Sequence, residues 1–501
     1  MERRSAVWAL WLGYSIALAF SFFGEFLPLT HGGYASQRIL LCLYLIAFAL
    51  FGVWHITTHR YREPKAFWTL VLVAISASLF VLQPFFFESP FLWVEPVMFA
   101  LFIMGSVYSG AAIQKLGDSV NLFIGFLVIT VVAAFLYAGM TINYYLFSIS
   151  DVDFDIGNII PWGFFNIRYW SHTATWLVPI FPLALVVLPP EHRLWRFCVY
   201  FTAAIWVWVL LMSAARGTVI SLSVGIVVVL FVFGRKALPW AKILGVFLML
   251  GVGVWLFLSV LLPSLVFGEL EIRNVSVTSS GRLTMWSEAL RMSFQNMPWG
   301  MGPQSWLTHD LLTSSYADAP KLAHPHNMYL MWAAEYGWLA VLALALVGIS
   351  GAKHLFAKRD VLRLEASSEK ESHILVALTV SVVAGVVHAG LSAVFMAPVS
   401  MLLALFIFAL FWSVILPPAA TPDSVALGVS KLVPAIAALL LLLAISIAWL
   451  TSVFSYHWAM EKDLPDYHEN VPGGLMPRFW LHGNFPRHPE PVSGPLNETG
   501  Q

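Results

Sequence analysis

The sequence predicts an all-α polytopic membrane protein with about 12–13 transmembrane helices and a large extracytoplasmic loop carrying short helices. Three observations predict it. Hydrophobic residues make up 59% of the 501 and charged residues only 11%, where a soluble domain carries about a quarter charged. Mean hydropathy is +0.79. The apolar residues also gather in runs of about 20, the length that crosses a bilayer core. Formal net charge is zero, so the overall charge gives no reason to expect nucleic acid as a partner.

Runs long enough to span lie near 6–28, 36–57, 67–87, 91–113, 120–140, 173–189, 195–214, 217–233, 241–262, 328–350, 373–393, 397–416 and 431–453. The first begins like a signal peptide. Its apolar part is too long and no small-residue cleavage site follows, so a retained helix is expected. Cys42 and Cys198 lie in apolar runs and are expected to be buried free thiols. No metal-ligand spacing occurs, and no metal or cofactor is expected.

Basic residues set the orientation. Arg3 and Arg4 precede the first run, and Arg60, Arg62 and Lys65 follow the second. Arg193 and Arg196 follow the sixth, Arg235 and Lys236 the eighth, and Lys353, Lys358, Arg359 and Arg363 the tenth. If the spans alternate, all fall on one side, which the positive-inside rule makes cytoplasmic, with the N-terminus. The chain then divides into an N-terminal transmembrane bundle (1–262), a periplasmic loop (263–327), C-terminal transmembrane helices (328–453) and a polar periplasmic tail (454–501). The tail is rich in Pro, Gly and His, lacks helical periodicity, and its end is expected to be disordered. No internal repeat is evident, and PPAATPDS reads as a linker.

The polar residues at the outer ends of these runs carry the chemistry. Arg216, with Gly217 after it, lies where two apolar runs meet in a tight hairpin. A guanidinium at such depth snorkels to the interface or clamps an anion in a cavity. Arg282 follows Ser279-Ser280-Gly281, an N-cap region before the amphipathic stretch LTMWSEALRMSF. An arginine in the first helical turn suits a phosphate, which the guanidinium grips in bidentate fashion. Arg291 reads as a solvated charge. His324 and His326 flank Pro325 just before the tenth run, and a histidine there can take a proton from an acceptor hydroxyl near neutral pH. Asn327 caps that helix or orients the imidazole. Glu335, roughly 13 Å further along the axis, is out of direct reach of His326 and is expected to brace a cation or a backbone group. Arg168, with Asn166 and His172 nearby, lies on the same outer face and is a further candidate. Asp151, Asp153 and Asp155 alternate as in part of a calcium loop, but lack its glycine and closing glutamate and read as solvated loop.

These residues resemble the O-antigen ligase and O-antigen polymerase superfamily of bacterial inner-membrane glycosyltransferases, which includes the protein O-oligosaccharyltransferases. The resemblance rests on Arg216-Gly217, on Ser280-Gly281-Arg282 with Trp286, on the turn Asn296, Pro298, Gly300, Gly302, and on His326, Asn327, Leu330, Glu335, Gly337. It covers roughly residues 200–350. It implies about twelve helices with a catalytic periplasmic loop between two late ones. It also implies an undecaprenyl-diphosphate-linked glycan donor and an acceptor that is a glycan, lipid A-core or protein, without cofactor or metal. Arg216 and Arg282 take the diphosphate in that reading and His326 is the base, with His324 as its alternate and Arg168, Asn327 and Glu335 in support. The bottom-up chemistry runs the same way, since guanidiniums stabilise a diphosphate leaving group and a single displacement inverts the sugar. Ligase, polymerase and protein glycosylation remain open, as does a lipid-linked glycan flippase, a reading that transporters' preference for midplane charges disfavours.

Overall fold

The computed structural model describes residues 2–26, 33–58, 64–116, 119–149, 163–188, 191–267, 281–317, 322–364, 369–417, 429–470 and 475–487. Asp151, Asp153, Asp155, Ser279 and Ser280 lie outside them. No strand occurs among the described residues.

The chain opens with α1 (Glu2–Phe23), α2 (Gly33–Thr58), α3 (Pro64–Leu82), α4 (Val94–Gln114) and α5 (Ser119–Ile149). Two short helices follow, α6 (Ile167–Leu177) and α7 (Leu183–Val186). Next come α8 (Arg193–Met212), α9 (Arg216–Phe233), α10 (Leu238–Trp255) and the short α11 (Leu262–Phe267). The loop carries α12 (Arg282–Gln295), α13 (Ser305–Thr308) and α14 (Ser314–Ala317). The chain returns through α15 (Met328–Leu364), α16 (Glu369–Ala389), α17 (Pro398–Ile415) and α18 (Val429–Asn470).

The protein is therefore an all-α polytopic membrane protein. Among the described residues, eleven helical stretches are long and apolar enough to cross a membrane. One of them, Arg216–Phe267, is 52 residues long and folds as α9 and α10, because Gly234 turns the chain at φ +55°. The run expected to span near 173–189 is not a continuous helix. Pro179 and Pro182 lack the N–H that a helix interior needs, and the segment breaks into α6 and α7. Irregular backbone of this kind persists at membrane depth only inside protein, and α6 is enclosed by α16, α17 and α9. α4 and α17 form the centre of the bundle, buried along nearly their whole lengths.

The last helix runs on to Asn470, past the expected end of helix at 453, and carries Pro465 inside it. Residues 475–487 then fold back onto the bundle and bury Phe479, Trp480 and Arg478. No periodic pattern marks this segment in the sequence, because it is held by tertiary contacts and not by a helical face.

α15 spans 37 residues and breaks at Gly337, whose φ of +82° and ψ of 167° are non-helical. The turn 296–302 docks on this break. Met301 and Gly302 donate their N–H groups to the carbonyls of Ala334 and Glu335 at 2.8 and 3.0 Å. A Cβ on Gly337 would lie 2.0 Å from the Pro298 carbonyl oxygen. Gly337→Ala is therefore expected to lose at least about 1–3 kcal/mol to backbone strain alone, with the clash added. Thermal unfolding of the solubilised protein would check it, and an unchanged midpoint would mean the break is not required.

The two ends of the bundle are chemically different. Lys236 donates from Nζ to the Leu362 carbonyl at 2.6 Å, and Arg363 from Nη2 to the Val232 carbonyl at 3.2 Å. Arg216 begins α9 and Met328 begins α15 at the opposite end. The basic cluster and the arginine–histidine residues thus occupy opposite ends of the same helices.

Candidate functional site

At this end of the bundle three helix starts each carry an arginine. Arg168 lies in the first turn of α6, where Asn166 caps the helix by accepting from the N–H groups of Arg168 and Tyr169 at 2.9 and 3.2 Å. Arg216 is the first residue of α9, after Ala214 has taken φ +47°. Arg282 is the first residue of α12, behind Gly281 at φ +70°. The Thr218 hydroxyl donates to the Ser171 carbonyl at 3.2 Å and ties α9 to α6. Arg282 has its pKa lowered by burial first, then by the charges of Arg168 and Arg216. Three cations at three helix N-termini repel one another and oppose the helix dipoles. The same set stabilises a bound anion.

His324 and His326 stand against this positive field. Their rings lie 4.5 Å apart and edge-on, and the His326 N–H donates to His324 Nδ1 at 3.3 Å. His326 adopts φ +55°, a conformation uncommon outside glycine. Its Nδ1 is buried without a hydrogen-bond partner among the described residues. Burial pushes the His326 pKa well below the ordinary histidine value, and the charges of His324, Arg168, Arg282 and His172 push it the same way. His324 is pushed down to about 3, by burial and then by Arg478 and Arg168. Both imidazoles are thus neutral at neutral pH. Asn327 caps α15: its Oδ1 accepts from the Leu330 N–H at 3.1 Å.

A second histidine pair lies below. His172 Nε2 is 2.8 Å from the Ser392 hydroxyl, and His388 Nδ1 is 2.8 Å from the Thr175 hydroxyl. The two rings are 5.0 Å apart. A Cβ on Gly217 would lie 3.0 Å from His388 Nε2, so the glycine lets the start of α9 close against this pair. His388 interrupts an apolar run, the one signal by which the sequence marks it.

Glu335 meets both a cation and a backbone group. It accepts from Arg478 Nη2 at 2.8 Å and from the Trp306 N–H at 3.1 Å. Arg478 also donates to both oxygens of Glu95 at 2.8 Å and to the Ala323 carbonyl at 3.0 Å. Its own carbonyl accepts from Tyr34 at 2.8 Å and from Arg38 Nη2 at 3.0 Å. Arg38, Glu95, Glu335 and Arg478 are each fully buried, and Arg478 bridges the two carboxyl groups. Burial alone would lower the Arg478 pKa, but Glu335 and Glu95 hold it well above the usual arginine value. Through Ala323 this cluster grips the residue before His324. Sequence reading missed Arg478 and Glu95, which lie 383 positions apart.

α12 is pinned from beneath. It buries Met285, Ala289 and Met292 against Trp306, Tyr316 and Ala334. The buried Glu288 carboxylate accepts from the Leu312 N–H at 2.7 Å and from the Thr313 hydroxyl at 2.5 Å, and lies 3.0 Å from His309 Nε2. These bonds order the segment after α12 and so fix where Arg282 begins.

Fold and geometry define a multi-pass helical membrane protein with an anion-suited cluster of arginines and neutral histidines at one end. Residues 201–345 match the family described as O-antigen ligase, consistent with the superfamily that the sequence resembles. The match takes in Arg216, Arg282, His324, His326, Asn327 and Glu335; Arg168, His388 and Arg478 lie outside it. The family supports a glycan-transferring, ligase-like role with glycan and lipid-linked substrates in general. A search of curated proteins finds no match.

Proposed function

We propose that this protein transfers a glycan from an undecaprenyl-diphosphate donor to an acceptor hydroxyl at the periplasmic face of the bacterial inner membrane. The observation that carries the reading is the convergence of three arginine-bearing helix starts beside a buried, neutral, strained histidine. In this reading Arg216 and Arg282 hold the diphosphate, with Arg168 beside them. The acceptor oxygen attacks the anomeric carbon while its proton passes to His326. The bond to the diphosphate breaks, and the lipid diphosphate leaves with the electron pair on an oxygen that the guanidiniums stabilise. A single displacement of this kind inverts the sugar. The basic cluster at Lys236 and Arg363, at the opposite end, supports a cytoplasmic position for that end and a periplasmic one for the site.

Arg282→Ala and Arg216→Ala are each expected to lower transfer by about 10²-fold or more, the scale for losing one charge-stabilising group. Arg282→Lys is expected to fall between, since lysine keeps the charge and loses the bidentate grip. Glycan transfer in proteoliposomes, at matched protein insertion, is the measurement. Full-rate transfer by either alanine variant would overturn the reading. The ligase description of the matched family favours delivery of glycan to a lipid or protein acceptor over chain extension. A deletion strain tests this: undelivered long polymer marks a ligase, and loss of long chains marks a polymerase.

A further inference from the structure

α12 is apolar on two sides. One face packs inward through Met285, Ala289 and Met292. The other carries Leu283, Leu290 and Phe294, at the i, i+7, i+11 spacing of a single stripe, and continues into Met297 and Trp299 in the following turn. These five are exposed, Leu283 by 64%, Phe294 by 56% and Met297 by 60%. A loop helix bathed in water would not gain from such a stripe.

α15 shows what covers it. Beyond its break at Gly337, α15 runs on to Leu364, about 40 Å at about 1.5 Å per residue, longer than the roughly 30 Å hydrocarbon core. Residues 331–337 are buried within the protein. Beyond Trp338 the helix exposes Leu342, Leu346 and Ile349. Counting about 30 Å from Trp338 ends near Lys358, where Lys358, Arg359 and Arg363 gather. Lys353, within that length, is exposed and long enough to reach the headgroups at the basic end. The bilayer boundary on the site's side therefore falls at Trp338, an indole suited to the interface. α12 is fastened at that level. Trp338 Nε1 donates to the Ser293 hydroxyl at 3.2 Å, and the rings of Phe294 and Trp338 lie 6.2 Å apart. The exposed stripe of α12 is thus continuous with the lipid-facing surface of α15. Arg282, one residue before the stripe, and the exposed Arg291, between Leu290 and Phe294 in the chain, suit anionic headgroups.

We infer that α12 and the turn after it lie in the membrane interface, with Leu290 and Phe294 immersed at the boundary of headgroups and acyl chains of the leaflet on the site's side. The occupant of this face is lipid. The seating holds whatever reaction the site performs, and it sets Arg282 at headgroup depth, within reach of a phosphate that arrives in the bilayer plane.

Spin labels test it. In the full chain carrying Cys198→Ser, with Cys42 left buried, labels are placed at Leu290→Cys and Phe294→Cys. Leu346→Cys serves as the lipid-facing reference and Asp360→Cys as the aqueous one. After reconstitution into phosphatidylethanolamine–phosphatidylglycerol vesicles, collisions with oxygen are expected to exceed those with a water-soluble nickel chelate at both positions, as at Leu346→Cys. Chelate-dominated collisions, as at Asp360→Cys, would overturn the inference. So would labels that neither reagent reaches, which would mean that a second protein chain covers the face.

Discussion

His326→Ala is expected to lower glycan transfer by about 10²–10⁴-fold, the range for losing a positioned general base, with insertion and folding unchanged. The His326 Nδ1 holds nothing else among the described residues, so the deletion breaks no hydrogen bond there, although the φ of +55° suits histidine better than alanine. The pH profile separates a base from a merely structural imidazole. The His326 pKa is lowered by burial first and then by His324, Arg168 and Arg282. Its neutral, proton-accepting form therefore persists as pH falls through the ordinary histidine value of about 6.5. kcat/KM, which reports the free enzyme, is expected to stay level through that range and fall only in stronger acid. A bound diphosphate offsets the charges of Arg168 and Arg282, so the pKa rises in the complex. The acid limb of kcat is then expected at higher pH than that of kcat/KM. His324→Ala tests which histidine matters: it removes one neighbouring imidazole and should shift the limb without abolishing transfer. An acid limb of kcat/KM near the ordinary histidine value, or full activity of the alanine variant, would sink the assignment.

Arg478→Ala is expected to cost about 3–5 kcal/mol of stability, the scale for breaking a buried ion pair from one side. The loss leaves Glu95 and Glu335 as two buried carboxylates with no guanidinium between them. It also frees the Ala323 carbonyl, so the segment bearing His324 and His326 loses its anchor. Thermal unfolding of the solubilised protein measures the first effect. Adding Glu95→Gln and Glu335→Gln to Arg478→Met should recover much of the lost stability, since removing a whole buried network is far cheaper than removing one member. Arg478→Ala with wild-type stability, or a triple variant no better than the single one, would show that the four charges do not work as a unit.

The parts of this architecture legible in the sequence are those that depend on near neighbours. Apolar runs announce the spanning helices through length alone. Arg216, Arg282 and His326 stand out because a charge or imidazole at the mouth of an apolar run is costly without a use. The break at Gly337 was hidden, because a single glycine in an apolar run is tolerated in a continuous helix. Pro179 and Pro182 were visible, yet their run was long and apolar enough to read as a span. Arg478 carried no signal, since its partners come from α4 and α15 and its own stretch has no period. His172 and His388 likewise become a pair only when α6 and α16 are side by side.

The buried four-charge cluster also has a direction in time. Arg38 and Glu95 come from the first fifth of the chain and Glu335 from about two-thirds of the way along it, while Arg478 is translated after all of them. Until Arg478 is made, Glu95 and Glu335 lack the guanidinium that bridges them in the folded protein. A chain halted before Arg478 keeps the eleven long apolar helical stretches of the described residues but not that bridge, so a late segment closes a gap left by earlier helices.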